Sequence, residues 1–155
     1  MEKSELVRQV PLFLGLDEAD LRKLATIATE ESFLSGKQVF AEGTIGDSLF
    51  IIKYGSVQVL KRGYDGNEEV ARMSIGQHFG EMALIDDDNR SATVDTAEHT
   101  VLIRIKRADL ENLLAQDNAL GYRVYRVLAK YLCRRLRQTT TDLTFIREVA
   151  KRKRT

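Results

Sequence analysis

Between Phe79 and Val94 the chain reads FGEMALIDDDNRSATV, which sets Gly80-Glu81 and Arg90-Ser91 ten positions apart. Arg90 presents a planar, permanently charged fork that matches the two exposed oxygens of a phosphodiester better than lysine does. Ser91 adds a hydroxyl donor beside it. Backbone N–H groups at the start of a short turn through Glu81, Met82 and Ala83 would complete such a cradle. Gly80 allows the close approach and unusual dihedrals that this turn requires. Glu81 is out of place beside a phosphate, because two anions repel. Its role makes sense if the carboxylate accepts a hydrogen bond from a ribose 2′-OH and a cation balances it, since an ionised carboxylate is an acceptor only. The ligand these groups suit is a ribose joined to a singly charged cyclic phosphate. Taken alone, Arg90 and Glu81 fit a structural salt bridge at a strand end equally well.

The elements that must position these residues fall into three regions. Residues 1 to about 30 read as helical: Ser4–Val10, then Pro11 as a break, then a helix capped by Asp17 with Leu21, Leu24, Ala25 and Ala28 on one face. From about 33 to 106 the pattern is β. Ser48–Ile52 is a short apolar run, Ser56–Leu60 alternates, Asp65-Gly66 is a hairpin turn signal, and Val101, Ile103 and Ile105 mark a half-buried strand. Gly36, Gly43, Gly46, Gly55, Gly63, Gly66 and Gly76 punctuate this region, which argues for a sandwich, barrel or jelly roll. Beyond Ala108 a short helix over Ala108–Gln116 is expected, then a long one over Leu120–Lys151. In the long helix Tyr122, Tyr125, Ala129, Leu132, Leu136, Thr139, Leu143, Ile146 and Ala150 form a heptad seam suited to pairing with a second copy. A second apolar set, Val124, Val127, Leu128 and Tyr131, is free to pack on the β-structure.

Composition narrows the function classes. A chain of 155 residues with 43% apolar and 30% charged residues is one globular domain's worth. It has no apolar run of about 18 residues and no signal-like segment, so neither membrane span nor export is indicated. One cysteine, Cys133, excludes an internal disulfide or a cysteine metal cluster and fits a reducing cytoplasm. The net charge of +1 conceals eight basic residues from Arg134 onward (Arg134, Arg135, Arg137, Arg147, Lys151, Arg152, Lys153, Arg154). That tail reads as a solvated helix end, or as a polyanion-binding patch. His78 and His99 are too few for a histidine-rich metal site, and His78 reads as a surface or strand-end residue. Asp86, Asp87 and Asp88 read as a solvated acidic loop. No Ser-His-Asp spacing or phosphate-binding lysine loop is present, and no catalyst is expected.

The stretch from Phe79 resembles the phosphate-binding cassette of cyclic-nucleotide-binding domains, approximately Phe-Gly-Glu-x-Ala-Leu, a short loop, then Arg-Ser/Thr/Ala-Ala-Thr-Val. Here it reads Phe79-Gly80-Glu81-Met82-Ala83-Leu84, the loop Ile85–Asn89, and Arg90-Ser91-Ala92-Thr93-Val94. Asn89 stands where the family often has proline, which touches loop stiffness rather than a ligand contact. Val10–Leu16, Gly36–Gly43 and Gly46–Val59 resemble the family's N-terminal helices and early strands. The segment Cys133-Arg-Arg-Leu-Arg-Gln-Thr139-Thr140 is similar to the long helix of the bacterial catabolite-activator group. The resemblance implies that Thr139 and Thr140 read the base and that Arg135 balances Glu81.

It also implies an α+β fold: an antiparallel, jelly-roll-like β-roll with N-terminal helices and a long C-terminal helix. The expected division is a single domain over residues 1–155, with a helical segment at 1–30, the β-roll at 31–107 and the C-terminal helices at 108–152. The implied function is regulatory binding of cAMP, with cGMP weakly disfavoured by Ser91 in place of Thr, in a cytoplasmic homodimer. The catabolite-activator group continues into a helix-turn-helix, whereas this chain runs about five residues past Ala150. A stand-alone ligand-binding protein or a sensory fragment is therefore expected. Two rival readings are a DNA-binding regulator acting through the basic tail and an interaction domain that has lost its ligand. Intact Gly80, Glu81 and Arg90 speak against the latter.

Overall fold

The computed structural model describes residues 2–154. The glycine-punctuated middle of the chain folds into two four-stranded antiparallel sheets. One sheet runs in the order β1 (Ala28–Phe33), β8 (Thr100–Lys106), β3 (Ser48–Tyr54), β6 (His78–Phe79). The other runs β2 (Gln38–Phe40), β7 (Thr93–Thr96), β4 (Ser56–Gly63), β5 (Gly66–Ser74). Helices α1 (Lys3–Gln9) and α2 (Glu18–Thr26) precede the sheets, and α3 (Arg107–Ala115) and α4 (Asn118–Arg154) follow them. A short 3₁₀ turn, Glu81–Leu84, leaves β6. The fold is α+β: an antiparallel β-roll with N-terminal helices and a long C-terminal helix.

Two apolar clusters hold these layers together. Between the sheets lie Phe50, Ile52, Val57, Phe79, Val94 and Leu102. On the opposite face of the first sheet, Leu49, Ile51, Ile103 and Ile105 pack against Leu6, Leu24, Leu110, Val124 and Leu128 of the four helices. The continuous apolar run of β3 follows from this arrangement, because both of its faces are covered. β8 is covered in the same way, with Leu102 facing one cluster and Ile103 the other, so it is not the half-buried strand its alternation suggested.

Asp17 caps α2 by accepting a hydrogen bond from the Asp20 backbone N–H at 2.8 Å. The helix stops at Thr26, and Ala28 opens β1 instead of continuing the helical face. Thr29 and Glu30 are exposed polar residues that pair with Arg104 and Ile103 of β8, so tertiary pairing overrides the helical reading there. The β4–β5 hairpin closes one residue earlier than expected, with Gly63 opposite Gly66 and Tyr64-Asp65 at the tip.

The root of α4 is fastened twice. Val124, Val127 and Leu128 are buried, each worth roughly 1.5–3 kcal/mol relative to exposure. Arg123 donates two hydrogen bonds of 2.8 Å to the Asp20 carboxylate, which is 1% exposed. From Cys133 to Thr144 every side chain is exposed, and the helix runs on as a spur.

Candidate functional site

A cavity of about 450 Å³ opens on the second sheet, bounded by the Glu81–Leu84 turn, the loop before Arg90, strands β4 and β5, and Arg135 of α4. Arg90 forms its floor. The residue is 8% exposed, and its Nη2 donates to the Ser48 carbonyl at 2.8 Å. Its guanidinium carbon sits 4.0 Å from the centroid of the Phe40 ring, a cation–π distance. Two glycines make the space: a Cβ on Gly80 would stand 2.5 Å from Arg90 Nη1, and one on Gly46 would stand 3.0 Å from Nε. Gly80 also has φ +79°, which L side chains rarely adopt.

Among the described ion pairs none involves Arg90. Burial pulls its guanidinium below the ordinary value, and the Asp47 carboxylate partly restores it. Arginine nonetheless stays charged. The cavity therefore holds a nearly buried cation whose neighbours are carbonyls and an aromatic face. A second arginine braces the same region: Arg107 Nη1 lies 2.9 Å from the carbonyls of Gly46 and Ala83 and 3.1 Å from that of Asp86. A third, Arg104, donates to the Ser48 hydroxyl at 2.7 Å and to Glu31 at 3.0 Å. Ser48 thus links Arg104 to Arg90, one through its hydroxyl and the other through its carbonyl.

Glu81 lies on the other side of the turn. Burial raises its carboxyl group, but the neighbouring His78 ring, with Arg135 beyond, outweighs that and leaves it below the usual carboxylate range. His78 Nδ1 is 3.5 Å from Glu81 Oε2. His78 is 7% exposed rather than a surface histidine, because β6 inserts it beneath α4, where its ring meets Tyr131 at 5.3 Å.

Seven of the expected residues, Gly80, Glu81, Met82, Ala83, Arg90, Ser91 and Arg135, border the cavity. Thr139 and Thr140 do not. They follow Arg135 by about one turn, or about 6 Å along the axis, and their hydroxyls donate at 2.9 Å to the carbonyls of Arg135 and Leu136. Asp86 and Asp88 are exposed at the rim, and no cluster among the described residues could hold a metal ion. Sequence reasoning missed Phe40, Ser48, Arg104 and Arg107. Arg104, charged within the largely apolar strand β8, and Arg107, the first residue of α3, were the available signal.

Comparison with known proteins agrees with this geometry. Residues 30–117 match the family profile described as the cyclic nucleotide-binding domain. The chain is 32% identical over 110 residues to the cAMP-dependent protein kinase regulatory subunit of Eremothecium gossypii, covering 71% of this chain and 23% of that protein. It is 36% identical over 91 residues to the cGMP-dependent protein kinase, isozyme 1, of Drosophila melanogaster, covering 57% and 12%. The crystal structure of the Thermus thermophilus catabolite activator protein superposes with a TM-score of 0.75 at 29% identity, covering 88% of this chain and 62% of that one. The chain thus spans less than two thirds of each of these relatives. Among the described residues, no helix is long and apolar enough to cross a membrane.

Proposed function

This chain belongs to the cyclic nucleotide-binding domain family, and we propose that it is a regulatory module that binds cAMP. The observation that carries this reading is Arg90, a nearly buried cation with no ion-pair partner among the described residues, facing a cavity of about 450 Å³. A single negative charge on two adjacent oxygens is what such a site lacks. The phosphodiester would meet the Arg90 fork, the Ser91 hydroxyl and the N–H groups of the turn through Met82 and Ala83. Glu81, held ionised, accepts from the ribose 2′-OH, and Arg135 supplies the balancing charge. The base then lies against Val59, Ala71 and Met73, which line the opposite wall.

The long helix completes the arrangement in this reading. Ligand draws α4 over the cavity only by as much as it binds that arrangement better than the open one. Leu136, Leu143 and Ile146 are large exposed apolar side chains along one face of α4, and a second copy would cover them in a homodimer. Thr139 and Thr140 would then reach a base by pairing of the helices. The module is a single cytoplasmic domain over residues 1–155, binding rather than catalytic. Among relatives, one is named for cAMP and another for cGMP, so both nucleotides belong in the test.

Calorimetric titration of ligand-stripped protein with cAMP, cGMP and cyclic di-GMP decides the matter. Saturable one-to-one binding of cAMP, tighter than cGMP, is expected. A folded protein that takes up none of the three would overturn the reading. The rival reading, direct DNA binding by the basic end of α4, predicts a salt-dependent gel shift by this chain.

A further inference from the structure

We infer that His78 is a positioning residue, holding the Glu81 carboxylate in the orientation that accepts the ribose 2′-OH. The inference rests on the cyclic-nucleotide reading of the cavity and adds to it the residue that gives Glu81 its direction.

Glu81 needs such a partner. It opens a short 3₁₀ turn, and the Gly80 residue before it caps that turn without a side chain. Arg135 brings charge but not direction, because it is an exposed, flexible side chain on α4. His78 is different in each respect. It lies on β6, paired opposite Ile51 of the central strand β3, and the neighbouring Gln77 carbonyl accepts from Ile52 N–H at 2.9 Å. Its ring is fixed from the helix side by Tyr131, at 5.3 Å between centroids and 60° between planes.

The polar atom of interest is Nδ1. It is enclosed and has no hydrogen-bond partner among the described residues. Glu81 Oε2 lies 3.5 Å from it, beyond a normal hydrogen bond by a few tenths of an ångström. A buried polar atom without a partner is costly, so a small shift of the turn that closes this gap, with the proton on Nδ1, is favourable. With Nδ1 on Oε2, the other carboxylate oxygen is left for the sugar.

The test is calorimetric titration of the wild type, His78→Leu and His78→Gln with cAMP and with 2′-deoxy-cAMP. Wild type is expected to prefer the ribose form by at least about tenfold, as a hydrogen bond to a charged group implies. In His78→Leu that preference falls to about threefold or less, through weaker cAMP binding with little change for the deoxy ligand. His78→Gln keeps an N–H in reach and retains most of the preference. Because both ligands are compared on one sample, the ratio is independent of the fraction folded. An unchanged ratio in His78→Leu, or an equal loss for both ligands, overturns the inference. Wild-type protein that binds cAMP through Arg90 but does so with that outcome leaves the binding reading standing. Wild-type protein that binds neither ligand overturns both.

Discussion

The two ends of the cavity are built differently. At the floor, Arg90 is buried, hydrogen-bonded to the Ser48 carbonyl, stacked on Phe40 and enclosed by Gly46 and Gly80. Its position owes nothing to a partner molecule. On the helix side, α4 leaves the β-roll beyond Arg135, and Thr139, Thr140, Thr141 and Thr144 spend their hydroxyls on carbonyls of their own helix. Leu136, Leu143, Phe145 and Ile146 are left facing solvent. A run of threonines with such local bonds is a poor helix former by itself. The Arg90 end of the cavity is thus complete within one chain, whereas the α4 end leaves an apolar face that the chain itself does not cover.

The sharpest way to break this contrast is Arg90→Ala. If the floor is pre-organised, cAMP affinity falls by about a hundredfold, since the paired charge-assisted hydrogen bonds of the guanidinium fork are lost. Wild-type affinity in that titration would show that Arg90 does not hold the ligand. Gly80→Ala acts on the same region indirectly, by placing a methyl against Arg90 Nη1 at a φ of +79°. A loss of about tenfold is expected, with an unchanged far-ultraviolet circular dichroism spectrum.

The helix side should respond more weakly in affinity and more strongly in assembly. Changing Leu136 and Leu143 together to Glu is expected to convert a dimer to a monomer in sedimentation velocity, with cAMP affinity reduced about threefold to tenfold. A wild type that sediments as a monomer at all concentrations would instead assign that apolar face to another partner.

The root of α4 gives the smallest effect on ligand and a clear one on stability. A hydrogen bond from Arg123 holds the Asp20 carboxyl below its ordinary value, against the opposing effect of burial. A group with a depressed folded pKa contributes stability above its unfolded pKa of roughly 4, and loses it as pH falls through the folded value. Asp20→Asn should therefore lower the melting temperature at pH 7 by several degrees, and the difference should shrink in acid. Ligand affinity should be unchanged. A melting difference that stays constant from neutral pH into acid would show that packing, not ionisation, is the contribution.

How far the sequence could be read depended on how local each feature is. The turn through Glu81 and the strand that follows Arg90 lie in sixteen consecutive residues, so residue type and spacing already describe the cradle. Asp17 as a cap and the long helix were equally local. The misreadings came where distant segments decide. Ala28, Thr29 and Glu30 join β8 rather than extending α2, since the partner strand lies some seventy residues away. His78 carries no sign of burial in its own neighbourhood, because the covering residue, Tyr131, arrives from α4.

What the sequence determined alone was the chemistry available: a permanent cation, a carboxylate, a flexible glycine and a heptad face. These follow from side-chain identity and periodicity, which need no partner to be defined. Only the tertiary structure decided which of those groups meet. It placed Arg90 between two glycines and over Phe40, joined it to Arg104 through Ser48, set His78 against Glu81, and kept Thr139 and Thr140 outside the cavity. The physical reason is that burial and pairing are properties of two surfaces at once, and a sequence states only one of them at a time.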